Sequence, residues 1–241
     1  MQLSKLESKA YEILKRNNFI IFRTKDLMLL LGIKTEKAYN LIKALKRKNA
    51  IETVKAGLYA LQGTNELIMG SYLNWPSYVS FWSALSYYHY TDQLPKTIFY
   101  ASTKYRKKTN NYKYIAIAKK RFFGYAKIGN IIIAEREKAI IDSLLFPKYV
   151  GGIKELISCM EKSINELNKE KLLDYAMKMK SKAVLRRLGF ILELIGFNGI
   201  LKKIRINIGK GYELLDPSLN KRSNLNKKWL LDINDDIDRR A

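Results

Sequence analysis

Residues 35–61, TEKAYNLIKALKRKNAIETVKAGLYAL, decide how this chain must be read. Ala38, Leu41, Ile42 and Leu45 recur at helical spacing and form one apolar face. Lys37, Asn40, Lys43, Lys46, Arg47 and Lys48 fall off that face, so a single helix is apolar toward a core and cationic outside it. Directly afterwards the β-rich IETV (51–54), a turn around Lys55 to Gly57 and LYAL (58–61) predict a short hairpin. A helix that packs on a small domain and also enters a DNA major groove needs this division of faces, and a following hairpin makes a wing.

The upstream residues agree. Ser4-Lys5-Leu6-Glu7 is a capping box opening a first helix, with Leu6, Ala10, Ile13 and Leu14 on its apolar side. Residues 19–22, FIIF, are a short β-rich run. Thr24 is the expected cap of a second helix over Lys25 to Leu31, which Gly32 ends in a left-handed turn. Thr35 then starts the third helix after a three-residue turn, the spacing of a helix-turn-helix. Residues 1–62 therefore read as a winged helix-turn-helix. The same fold can serve as a protein-docking module, with its lysines and arginines forming only a solvated face.

Charge points the same way. The chain carries 45 Lys+Arg against 22 Asp+Glu, a formal charge of +23, which suits a polyanionic partner. Residues 1–62 hold 13 of the bases and five acids, so most of the excess lies beyond them. Charge alone does not separate DNA from RNA or acidic lipid. No apolar run approaches the roughly 20 residues of a membrane span, and the start of the chain does not resemble a leader peptide. One cysteine, Cys159, precludes an internal disulfide framework and reads as a small apolar residue. An intracellular, cytoplasmic protein is expected.

Gln62-Gly63-Thr64-Asn65 is the expected boundary, leaving 65–241 as a larger α+β domain with a mostly antiparallel sheet. Helices are expected over 66–72, 77–90, 135–145, 153–164, 169–179 and 182–195, with strands at 98–101, 112–118, 131–134, 204–208, 212–215 and 229–233, and one more conceivable at 121–126. The segment 104–127 holds nine basic residues and no acidic one, interleaved with Tyr105, Tyr112, Tyr114, Phe122, Phe123 and Tyr125. Lys107, Lys108, Lys119 and Lys120 are its candidate phosphate contacts. Base stacking on the aromatics is the weaker reading, because period-two alternation would bury them.

Three stretches of this region, SFWSALSYYHYTDQLPKTIFYAS (80–102), GNIIIAEREKAIIDSL (129–144) and LRRLGFILELIG (185–196), follow the winged-helix start. Together they resemble the antitoxin half of the AbiE-type (type IV, abortive-infection) toxin–antitoxin systems, over about residues 5–232. The most specific pieces are Ser83-Ala84-Leu85, Glu137-Lys138-Ala139 with Asp142, and Arg186-Arg187-Leu188-Gly189. The resemblance implies a transcriptional repressor that binds double-stranded DNA at inverted repeats in its own promoter. It also implies neutralisation of a nucleotidyltransferase-like toxin without a stable complex, and a dimer or cooperative assembly on DNA. It carries DNA reading to Lys37, Tyr39 and Asn40 and the wing's role to Lys55. Thr35 and Lys43 complete the DNA-binding set read from this helix.

Enzymatic readings lack parts. His89 is the one histidine and is expected inside an aromatic helix, so neither a histidine-based zinc site nor a Ser-His-Asp set can be composed. No Gly-rich phosphate loop occurs. Gly70-Ser71 is followed by Tyr-Leu-Asn rather than the paired aspartates of a nucleotidyltransferase. Glu135-Arg136-Glu137-Lys138 departs by one position from the acid-spacer-lysine pattern of a nuclease. No catalytic residue, metal or cofactor is expected, and Asp232, Asp235, Asp236 and Asp238 read as a solvated acidic tail facing the basic body.

Overall fold

The computed structural model describes residues 2–105 and 111–237 and divides into two compact units, Met1–Trp75 and Pro76–Ala241. The first runs α1 (Lys5–Arg16), β1 (Ile21–Arg23), α2 (Thr24–Leu31), α3 (Thr35–Arg47), β2 (Ile51–Lys55), β3 (Leu58–Leu61) and α4 (Glu66–Leu73). Its strands form one antiparallel sheet in the order β1-β3-β2, so the hairpin β2–β3 is completed by the strand between α1 and α2. Ala10, Leu14, Phe22, Leu27, Leu41, Ile42, Leu45, Ala50, Ile51 and Leu61 make its core.

Local chemistry sets the helix limits. The Ser4 backbone N–H donates to Glu7 Oε2 at 2.6 Å while Ser4 Oγ accepts from the Glu7 N–H at 3.4 Å, the reciprocal arrangement of a capping box. At α2 the expectation needs correcting, because Thr24 lies inside the helix. The Asp26 carboxylate reaches back to accept from the Arg23 N–H at 2.6 Å, an interaction a negative group makes well at a helix start. Gly32 ends α2 with φ +61° and ψ +37°, as glycine permits. Residues 62–65 form a tight turn in which Asn65 Oδ1 accepts from the Leu67 N–H, and α4 groups with the first unit.

Lys48 is not part of a freely solvated cationic face. Its ammonium lies 2.6 Å from the Glu7 carboxylate, tying the end of α3 to the start of α1. That hydrogen bond, with the one from the Ser4 N–H, holds the Glu7 carboxyl below its ordinary range. A carboxylate depressed on folding adds stability that is complete above its unfolded pKa and is lost as pH falls through the folded value. Glu7→Gln should therefore lower the melting temperature at neutral pH, and the deficit should shrink as pH falls through the depressed carboxyl pKa of the folded state. Parallel thermal melts across that range check it.

The second unit contains β4 (Ser77–Val79), α5 (Phe81–Tyr87), β5 (Ile98–Ser102), β6 (Tyr112–Ala116), β7 (Tyr125–Ile128), β8 (Ile131–Ala134) and the helices α6 (Arg136–Leu145), α7 (Ile153–Ser163), α8 (Lys169–Lys178), α9 (Lys182–Leu194) and α10 (Leu201–Ile206). The short strands β9 (Glu213–Leu214), β10 (Leu225–Asn226) and β11 (Leu231–Asp232) form a small sheet. The larger sheet has the order β6-β5-β4-β8-β7. The chain is thus a mixed α+β fold rich in antiparallel pairing, although β4–β8, β5–β6 and β9–β11 run parallel. α6 is buried along nearly its whole length and packs on α5, α8 and α9.

Three expectations for this unit fail. The helix over 77–90 is a strand followed by a short helix, because Ser77–Val79 pairs with β5 and Phe81 takes φ +54°, which breaks the path between them. The strand at 204–208 is the end of α10 and a turn, with Ile206 76% exposed and only Ile204 and Ile208 buried. At 121–126 the chain forms the end of a 3-10 turn (Lys119–Arg121) and the start of β7. No helix among the described residues is long and apolar enough to cross a membrane.

Candidate nucleic-acid interface

α3 buries Ala38, Leu41, Ile42 and Leu45 and exposes Thr35, Glu36, Lys37, Tyr39, Asn40, Lys43, Lys46 and Arg47. Steps of three and four residues place Glu36, Asn40, Lys43 and Arg47 in one row opposite the buried stripe. Lys37 lies on one flank of this row, and Thr35 and Tyr39 on the other. Tyr39 remains 55% exposed. All five candidates read from this helix are thus at the surface. Arg47 lies in the same exposed row and is absent from the candidates read from the sequence, although its spacing of four from Lys43 carried the signal.

The N-terminus of α3 has a second property. Lys34 precedes the helix without any side-chain cap, so the amides of the first turn carry the positive end of the helix dipole. Gly32, Ile33, Lys34, Glu36, Lys37 and Asn40 line a shallow open depression there. Lys34 and Lys37 bring two ammonium groups and Glu36 one carboxylate to that depression, beside the N–H donors of the first turn. Lys55 is exposed at the end of β2, where the pairing with β3 shifts register between Thr53 and Lys55, and Gly57 turns the chain with φ +73°.

In the second unit Lys119 and Lys120 are exposed on the 3-10 turn, whereas Arg121 is committed, its Nε donating to the Met179 carbonyl at 2.9 Å. Lys107 and Lys108 lie outside the described residues. The interleaved aromatics mostly face inward. Tyr112 and Tyr114 are buried, Phe122 and Tyr125 pack on Tyr78 with ring centroids 5.0 and 4.9 Å away, and Phe123 meets Tyr175 at 5.3 Å. Tyr105, 79% exposed, and Tyr125, still 41% exposed beside Tyr78, are the exceptions.

His89 is not inside a helix: it follows α5 in the left-handed conformation, φ +61°, and is exposed. Glu135 accepts from the Tyr175 hydroxyl and pairs with Lys171 at 3.1 Å. Burial raises its pKa, but those two bonds outweigh burial and leave it below the ordinary value. Glu137 Oε1 accepts from the Asn168 N–H at 2.9 Å, starting α8. Asp232 is not part of a solvated tail: it is buried and accepts from the N–H groups of Ser223 and Asn224 at 3.0 and 2.9 Å. Asp235 lies 3.6 Å from Lys154, Asp236 pairs with Arg222, and Asp238 is outside the described residues.

The sequence pieces singled out beyond the first unit hold the fold together. Ser83 Oγ accepts from the Phe99 N–H at 2.9 Å. Lys138 and Asp142 form a fully buried ion pair one turn apart on α6, and Asp142 also accepts from Tyr78 Oη at 2.9 Å and Ser80 Oγ at 2.8 Å. Burial and that neighbouring carboxylate push the Tyr78 phenol well above its usual pKa. Arg186 donates to the Ile208 and Lys210 carbonyls, and Arg187 to those of Leu144 and Leu214. Desolvation lowers Arg187 to about 10.

No family model matches the chain, and no curated protein matches it. Among solved structures it is similar to that of the RV2827C protein from Mycobacterium tuberculosis, with a TM-score of 0.67 over 95% of this chain and 92% of that one at 13% identity. At that identity the likeness is one of fold, and it extends over nearly the whole of both chains.

Proposed function

We propose that the chain is a sequence-specific DNA-binding repressor, with its first unit acting as a winged helix-turn-helix and α3 as the recognition helix. The observation that carries this reading is the sidedness of α3. One side is core, and the other exposes Asn40, Lys43 and Arg47 in a row flanked by Lys37 and Tyr39. Asn40 has the amide that pairs bidentately with adenine, Lys43 and Arg47 have the donors that suit guanine, and Glu36 can accept from a cytosine amino group. Thr35, Lys34 and the first-turn amides meet the phosphate backbone, and Lys55 on the wing reaches the neighbouring groove or strand. Following the family resemblance, the repressor is the cytoplasmic antitoxin of an AbiE-type pair that regulates its own promoter.

Binding to DNA from upstream of its own gene should weaken steeply with salt, since phosphate contacts dominate affinity. Lys37→Ala with Asn40→Ala should reduce the preference for that DNA over random sequence by about 1–3 kcal/mol per lost base contact. Full preference retained by the double variant in a mobility-shift titration contradicts the reading of α3. Lys119→Ala with Lys120→Ala should instead weaken all sequences alike and flatten the salt slope by up to about 2. An unchanged slope removes that turn from the footprint.

A further inference from the structure

Among the described residues no strand pairs with the outer edge of β7 in the five-stranded sheet. All four residues of β7, at one end of that sheet, are exposed. β7 pairs antiparallel with β8, with Tyr125 opposite Ala134, Ala126 opposite Ile133, Lys127 opposite Ile132 and Ile128 opposite Ile131. The phase of its hydrogen bonds is fixed by the bond from the Glu135 N–H to the Gly124 carbonyl, 2.9 Å. Antiparallel ladders alternate, so Gly124, Ala126 and Ile128 exchange bonds with the partner strand, while Tyr125 and Lys127 direct N–H and C=O outward. Among the described residues nothing meets those outward groups. The strand is also held in place, because the Tyr125 ring stacks on Tyr78 with planes 16° apart.

We propose that β7 is a docking edge that accepts an extended, acidic segment of a partner protein as a sixth strand. The outward donors and acceptors alternate along the chain, which matches another polypeptide backbone and not a phosphate backbone, whose oxygens the carbonyls of Tyr125 and Lys127 repel. Charge selects the segment. Residues 104–127 contain no carboxylate, and Lys119, Lys120 and Lys127 are all exposed. A second copy, carrying the same +23 and meeting Lys127 with Lys127, is disfavoured for the same reason. Side-chain alternation puts Tyr125 and Lys127 on one face and Ala126 and Ile128 on the other. The partner segment is therefore acidic on the first face and apolar on the second, where Ile128 is 41% exposed. The surface needs no part of α3, but it shares Lys119 and Lys120 with the phosphate contacts proposed above for the second unit.

Hydrogen exchange on the full-length protein tests this, with an acetylated Glu-Val-Glu-Thr-Glu-Val-Glu peptide as probe and its lysine counterpart as control. The acidic peptide should slow exchange of the Tyr125 and Lys127 amides by at least about tenfold, and the basic one should not. Lys127→Pro removes one outward N–H without touching the bonds to β8 and should abolish the protection. Should that variant not fold, Lys127→Glu keeps the backbone intact and should shift the preference toward the basic peptide. No protection, equal protection by both peptides, protection by a DNA duplex, or protection that appears on raising protein concentration alone would each overturn the proposal.

Discussion

Asp142→Ala should destabilise the protein by about 3–5 kcal/mol, because it leaves the Lys138 ammonium buried without its counter-charge. Lys138 has no solvent to turn to. Its remaining neighbours are Met179 Sδ at 3.8 Å and the rings of Phe123 and Tyr78 at 4.7 and 5.8 Å. The same change orphans the hydroxyls of Tyr78 and Ser80, each of which donates to Asp142. Lys138→Met with Asp142→Leu should cost much less than either single change, since an apolar pair removes both charges together. Urea melts of the two singles and the double measure the coupling. Additive effects would mean that the pair is not one unit.

Gly189→Ala is the second large effect, at about 3 kcal/mol or more. A methyl on Gly189 would sit 2.1–2.5 Å from three ring carbons of Trp229. That ring cannot yield, because it is fully buried and its indole N–H is bonded to Glu193 at 2.6 Å. α9 and Trp229 would have to separate, exposing the seam that Arg186 and Arg187 close by binding carbonyls of the 208–214 segment. The readout is a denaturant midpoint shifted with unchanged slope. Shortening the ring with Trp229→Leu in the same background should recover part of the loss if the clash is the cause.

These two sites show what was legible in the sequence. The elements of the first unit follow from short-range signals: a capping box, a left-handed glycine, an amphipathic helix and a turn with glycine at its tip. What sequence missed there was also local but less distinctive, such as Asn49, which ends α3 in the left-handed conformation that asparagine tolerates. The second unit was less legible because its signals are long-range. Ser77–Val79 is a strand only because β5 and β8 flank it, and helical propensity in the aromatic run that follows hid the break. Ile204, Ile206 and Ile208 alternate as a strand would, but no strand among the described residues pairs with them, and Arg186 instead binds the Ile208 carbonyl. Lys138 and Asp142 look like an ordinary surface pair at helical spacing. Burial on all sides of α6 makes them a core.

The candidate site divides the same way. Exposure of Thr35, Lys37, Tyr39, Asn40 and Lys43 followed from the apolar stripe of one helix, because a helix with a core face has its other face determined. The aromatics of 104–127 could not be assigned to core or solvent without knowing what packs on them, and Tyr78 and Tyr175 took most of that surface. The open edge at β7 was invisible, since an edge strand differs from a central one by what is not beside it.

On the proposed reading, Asn40 and its neighbours on α3 touch base edges. Its most direct test is a protein–DNA double-mutant cycle: wild type and Asn40→Ala are titrated against the upstream DNA and against variants with each base pair changed in turn. One base pair is expected whose replacement costs wild type about 1–3 kcal/mol and costs Asn40→Ala nothing, while other positions cost both proteins alike. Equal penalties for the two proteins at every position would contradict it.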